Sequence, residues 1–177
     1  KTLKQDIKIK EAQPVMELID AKYEENPAEV DIEDKKAMLL SLDKRGKYKK
    51  IKTLNLTYSD KQSERYLENT EGSSVTTNDC RIGLFSTAYA RQGARTENFM
   101  GILRKRAGYE LMQKAEKTVD ESMQKAEKML NAKLPKGGLF PAVVDQYIAG
   151  VFAHEAIGHA CEADLVLNGS SILAGKT

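Results

Sequence analysis

The two histidines of this 177-residue chain, His154 and His159, fall within one hexapeptide, His154-Glu155-Ala156-Ile157-Gly158-His159. Imidazole is the commonest side-chain ligand for metals, and an acidic residue directly after the first ligand is where a general base can meet a metal-activated water. The chemistry predicted is hydrolysis at one divalent metal ion, zinc by its liking for nitrogen ligands. His154 and His159 are then the ligands and Glu155 the base. Spacing tests this. Histidines four apart share one face of a regular helix. These are five apart, about 500° of rotation at roughly 100° per residue, and so about 140° out of alignment. A π-bulge, with its i to i+5 hydrogen bond, restores the alignment locally, and such bulges concentrate at functional sites. Gly158 gives the backbone freedom to adopt it. The plainer reading, two partly buried histidines with one at a helix C-terminus, accounts less well for the pairing with Glu155.

Zinc normally takes three protein ligands plus water. The candidates for a third are Cys161, Glu162, Asp164 and the distant Cys80. Glu162 lies eight residues after His154, about 80° round an ideal helix, and so approaches the same side. It is a possible further ligand or an outer-shell partner. Cys161, only two residues past His159, points elsewhere in a regular helix. Each also has an ordinary surface or core role as its alternative.

The elements that must position these residues are set by periodicity. Pro14 starts a helix through Val15, Met16, Leu18, Ile19 and Tyr23, broken by Asn26-Pro27. Asp31 caps a second helix with Ile32, Met38, Leu39 and Leu42 as its inner side, stopping at Gly46. From Ile51 the period changes to two, and Ser59-Asp60-Lys61-Gln62 reads as the turn of a hairpin. A longer strand sets Cys80, Ile82, Leu84, Ser86 and Ala88 against Arg81, Phe85 and Tyr89, and Gln92-Gly93 turns it into a partner bearing Phe99, Ile102 and Leu103. The expectation is an antiparallel meander of about four strands.

Met-Gln-Lys-Ala-Glu-Lys occurs at 112–117 and again at 123–128, almost three helical turns later. Thr118 stands three before Glu121, a capping-box spacing, so the second copy is expected to open its own helix with Val119, Met123, Ala126, Met129 and Leu130 inward. Leu134-Pro135-Lys136-Gly137-Gly138 is a linker. Phe140 to Val144 reads as a short buried strand, and Asp145 caps a helix that carries the histidines and runs on to Leu167. The fold class is therefore α+β: a meander sheet with flanking amphipathic helices, then a metal-motif helix with a π-bulge.

Composition bounds the rest. A net charge of +2, two Cys and no Trp exclude a disulfide framework and a zinc-finger array, and point to a reducing, cytoplasmic setting. No apolar run reaches a membrane span of roughly 18 residues, and the basic start at Lys1 and Lys4 has no signal-peptide apolar region. Residues 134–177 hold only six charged residues, begin a core-like segment and end without a helix stop or strand closure, while the first residue is Lys1 rather than Met. A fragment of a longer protein is expected.

The block His154-Glu-Ala-Ile-Gly-His-Ala-Cys-Glu-Ala-Asp164 resembles the signature of the TldD/PmbA family of zinc-dependent proteases, also called modulators of DNA gyrase. The segment Leu67 to Ser73, the strands around Arg81 to Gly101 and the helix before Pro135-Lys136-Gly137-Gly138 are similar to that family's N-terminal domain. The resemblance implies a dimer, with a like subunit or a paralogue lacking the histidines. It implies cleavage of peptides or unfolded segments in an enclosed cavity, zinc on His154 and His159, Glu155 as base, and a third ligand, Cys, from a β-rich C-terminal domain. Residues 1–133 are then the N-terminal α/β domain, incomplete at its start, and 134–177 the truncated opening of the catalytic region.

Three rivals are weaker. The basic run Lys44, Arg45, Lys47, Lys49, Lys50 and Lys52 around Tyr48 suggests a nucleic-acid-binding modulator, but Asp31, Glu33, Asp34 and Asp43 precede it and no nucleic-acid-binding residues are assigned. A non-catalytic scaffold or partner subunit would keep the histidines without metal. A redox role fails because Cys80 and Cys161 do not form a C-x-x-C pair.

Overall fold

The computed structural model describes residues 12–45 and 50–175, and divides the chain into two compact units, 1–133 and 134–177. Gly46 and the Lys47–Lys49 part of the basic run lie outside the described residues.

The first unit is α+β. Its centre is β3 (Ser74–Gln92), which pairs antiparallel with β2 (Ile51–Glu68) along one side. On the other side it pairs with β4 (Arg95–Arg106) from Arg81 onward and with the short parallel β1 (Met16–Ile19) at Ser74–Thr77. The two-residue link between β3 and β4 turns on Gly93, whose φ of +61° suits the first position of a tight hairpin turn. Three long strands thus form the expected meander, and the fourth strand comes from an unexpected place.

That strand replaces the helix read over Val15 to Tyr23. β3 extends past the end of β4, so the vacant edge offers backbone partners: Val15 N donates to Ser73 Oγ at 3.1 Å and Ser74 N to Val15 O at 2.8 Å. With all four side chains of Met16–Ile19 exposed, no buried face is left to enforce helical periodicity. The turn expected at Ser59–Gln62 is also absent, because β2 runs straight through it. Polar residues persist there because one sheet face and one edge are open to water, and Asp60 is paired with Lys35 Nζ at 3.0 Å.

The covered face is formed by Cys80, Ile82, Leu84, Ser86, Ala88 and Ala90 of β3, buried at every second position. Against it lies α2 (Ala115–Met129), which buries Ala115, Val119, Ser122, Met123 and Ala126; Leu111 and Met112 in the preceding 3₁₀ turn (Tyr109–Lys114) and Leu130 complete the contact. Each large apolar side chain buried here contributes about 1.5–3 kcal/mol. Helix and sheet approach closely at Gly101, where a Cβ would stand 3.0 Å from Thr118 O and 3.2 Å from Ser122 Cβ. Inside this contact Ser122 Oγ donates to Val119 O at 2.8 Å, which leaves Ser86 Oγ to donate to Ser122 at 2.7 Å. Thr118 does not cap a second helix. It sits inside α2 with its hydroxyl turned back to Lys114 O, because both hexapeptide copies share one apolar face with the sheet.

α1 (Ile32–Asp43) is capped by Asp31, whose Oδ1 accepts from Glu33 N at 2.8 Å, and it sends Leu42 into the core while Ile32 stays exposed. Gly108 joins the end of the sheet to the 3₁₀ turn: Tyr109 N donates to Glu25 O at 2.8 Å, and a Cβ on Gly108 would fall on that carbonyl. Glu110 closes the junction, accepting from Gly108 N at 2.8 Å and Glu25 N at 3.1 Å. Burial raises the cost of its charge, yet these N–H groups outweigh it and hold the carboxyl below the usual range.

The second unit has no buried side chain among its described residues. Phe140–Val144 is irregular and exposed rather than a buried strand, with no strand partner among the described residues. Asp145 does cap α3 (Gln146–Ala153), accepting from Ile148 N at 2.9 Å. The helix does not continue unbroken to Leu167. It passes into a π turn at His154–Gly158 and a 3₁₀ turn at His159–Cys161, then restarts as α4 (Ala163–Leu167). Among the described residues, no helix is long and apolar enough to cross a membrane.

Candidate metal centre

In the π turn His159 N donates to His154 O, five residues back. It takes up the extra residue that would otherwise rotate the histidines apart. Their rings meet edge to face with centroids 4.6 Å apart. One ligand atom from each of His154, Glu155 and His159 lies within 4.8 Å of the others, and these three form the group able to hold a metal ion among the described residues. Glu155 Oε2 is 3.6 Å from His159 Nε2. Gly158 keeps ordinary helical angles, φ −55° and ψ −56°, so the π turn needs no conformation special to glycine; a Cβ there would touch His154 Nδ1 at 3.7 Å, an ordinary contact.

Immediately beyond, the backbone tightens. In a 3₁₀ turn, side chains three apart eclipse one another. His159 and Glu162 are such a pair, and Glu162 Oε1 lies 2.8 Å from His159 Nδ1. Glu162 is itself fixed where the turn ends: its N donates to His159 O at 3.2 Å and its O accepts from Val166 N at 3.0 Å. The chain then folds back, with Ser170 N and Ser171 N both donating to Leu165 O, and the Ser171 hydroxyl donating to Ala160 O.

The other candidates stand apart. Cys161 is exposed and outside the three-residue group. Asp164 spends a carboxylate oxygen on Leu165 N at 2.9 Å, at the start of α4. Cys80 is buried in the sheet of the first unit, where burial pushes its thiol up and away from the thiolate form. Glu162 contacts His159, because the backbone past Gly158 is a 3₁₀ turn and not the ideal helix that the eight-residue spacing from His154 presumes. The i, i+3 spacing is the available signal of that contact.

The carboxylate clusters of the first unit are structural. Asp79 holds Arg81 Nε at 2.6 Å and Arg106 Nε at 2.7 Å; desolvation opposes its charge, but the two guanidinium groups win and keep the carboxyl below its usual range. Arg45 bridges Glu116 and Asp120 of α2 at 2.9 and 2.8 Å.

The chain is similar to known proteins. Residues 25–130 match the family model described as the PmbA/TldA metallopeptidase central domain. A metalloprotease of Methanothermobacter thermautotrophicus is 29% identical over 177 residues, covering 99% of this chain and 39% of its own length. A metalloprotease of Methanocaldococcus jannaschii is 31% identical over 85% of this chain and 34% of its own. A zinc metalloprotease TldD homolog of Saccharolobus solfataricus is 30% identical over 68% of this chain and 27% of its own. The fold is also that of a crystal structure of a candidate modulator of DNA gyrase from Bacteroides thetaiotaomicron, with a TM-score of 0.73, 20% identity, and 95% of this chain covered against 38% of that one. The chain thus spans about two fifths or less of the length of each of these proteins. With more than half of its residues matched by the family model, the chain belongs to the PmbA/TldD metallopeptidase family.

Proposed function

We propose that this chain carries the proton-transferring and part of the metal-holding machinery of a zinc-dependent peptidase that cleaves peptides or unfolded protein segments. The observation that carries this reading is the gathering of His154, Glu155 and His159 within 4.8 Å on a π turn. The donor set suits zinc. Two imidazoles and a carboxylate whose ligand atoms lie within 4.8 Å of one another are donors that zinc takes. His154 and His159 would hold the ion, and a cysteine elsewhere in the protein would complete the protein ligands, as the family resemblance implies. When bound, zinc supplies Lewis acidity, polarising a scissile carbonyl and acidifying water.

The chain's own carboxylate does the rest. Glu155 is exposed and adjacent to both rings, so its Oε2 can accept a proton from an attacking water and return it to the leaving amine. An extended, unfolded substrate fits such a role, because a backbone carbonyl must reach the ion unencumbered. A dimer with a like or paralogous subunit is part of the proposal.

In the intact protein, Glu155→Gln is expected to keep its zinc and to lose cleavage of an unstructured peptide by about 10²–10⁴-fold, the usual contribution of a general base. Cleavage at the native rate by the zinc-loaded variant would overturn the mechanism.

A further inference from the structure

We infer that Glu162 is a positioning residue of the metal centre, acting through His159 and not as a ligand. The inference rests on the metal reading above and concerns which nitrogen of His159 faces the ion. A carboxylate can only accept a hydrogen bond, so at 2.8 Å from Glu162 Oε1 the Nδ1 of His159 must carry the proton. In the neutral ring this leaves the lone pair on Nε2. Nε2 is the atom on the Glu155 side, 3.6 Å from Oε2. Glu162 therefore selects the tautomer that a metal at the three-residue group requires, and fixes the ring plane as well.

The backbone explains why this carboxylate occupies that place. Two departures from α geometry succeed each other within nine residues. The π turn aligns positions five apart, bringing His154 over His159, and the 3₁₀ turn aligns positions three apart, bringing His159 over Glu162. A continuous α-helix would leave the two histidines about 140° apart, and would offset rather than eclipse positions three apart. The turn ends at Glu162 with an extended ψ of 132°, and its backbone is held at both N and O, so its side chain leaves from a fixed point. The same contact argues against ligation: one carboxylate oxygen is already committed to Nδ1, and Glu162 is outside the group that converges on an ion. Outer-shell carboxylates on ligating histidines typically account for 10–100-fold in metal affinity.

The test is a cobalt(II) titration of the intact protein, followed by visible absorption, for the native form, Glu162→Ala and Glu162→Gln. Glu162→Ala is expected to weaken cobalt binding by about 10–100-fold while the saturated spectrum keeps its band positions and intensity. Glu162→Gln keeps an acceptor oxygen on the same stem and should lose less. The thermal midpoint of each metal-free variant checks folding, and the Gln variant carries the test if Ala does not fold. Affinities within about twofold of native in both variants would overturn the role of Glu162 alone. A saturated spectrum changed in intensity would instead make Glu162 a ligand and also overturn the inference. No cobalt binding by the native protein would overturn the metal reading and this inference together.

Discussion

The two units of the chain are held by different forces. In residues 1–133, alternating side chains of β3 meet one face of α2, and the buried core among the described residues runs from Leu42 to Leu130. In residues 134–177, Phe140, Tyr147 and Phe152 are 64%, 73% and 71% exposed, and local order comes from a cap, a π turn, a 3₁₀ turn and the return of Ser170 and Ser171 to Leu165. Burial is worth kilocalories per side chain, whereas an exposed backbone hydrogen bond is worth little net. The lesson is that stability and chemistry are divided: the well-packed unit carries almost none of the proposed chemistry, and the chemical groups sit on backbone geometry that burial would not by itself select.

This division can be broken by substitution. Leu84, fully buried in the centre of β3, should cost about 2–5 kcal/mol when changed to Ala, seen in urea unfolding of the intact protein. Val143, fully exposed in this chain, should cost no more than about 0.5 kcal/mol when changed to Ala in the 177-residue chain itself. Equal costs would mean that the second unit is as well packed as the first. A smaller effect concerns Glu110. Its native carboxyl is held low, so its stabilisation is fully present above the ordinary carboxylate range, near about 4.3, and is lost as pH falls through the lowered native value. Thermal melts should therefore show Glu110→Gln destabilised at pH 7, with the gap to native closing on acidification into that window. A gap that widened in acid would contradict the assignment.

Much of the fold and the site is legible in the residues alone, for identifiable reasons. Asp31 and Asp145 are readable as caps because the capping bond is local, and β3 is readable because every second residue is apolar. The π turn is readable because two chemically matched residues stand at a spacing that a regular helix cannot use. The features that escape such reading depend on partners far along the chain. β1 exists because β3 outruns β4, and β2 crosses Ser59–Gln62 because its face and edge are wet; neither fact is written in the local pattern. Phe140–Val144 shows the converse, an apolar run with strand composition that pairs with no strand among the described residues. At the candidate site, His154, Glu155 and His159 are identifiable by type and spacing, while the pairing of His159 with Glu162 is signalled only by an i, i+3 spacing that the 3₁₀ turn after Gly158 brings into contact.

The most direct test is metal content. The intact native protein should retain close to one zinc per chain after dialysis against metal-free buffer, measured by elemental analysis, while His159→Ala, folded by circular dichroism, should lose it. Retention of zinc by folded His159→Ala would contradict the assignment of the π-turn histidines as the metal centre.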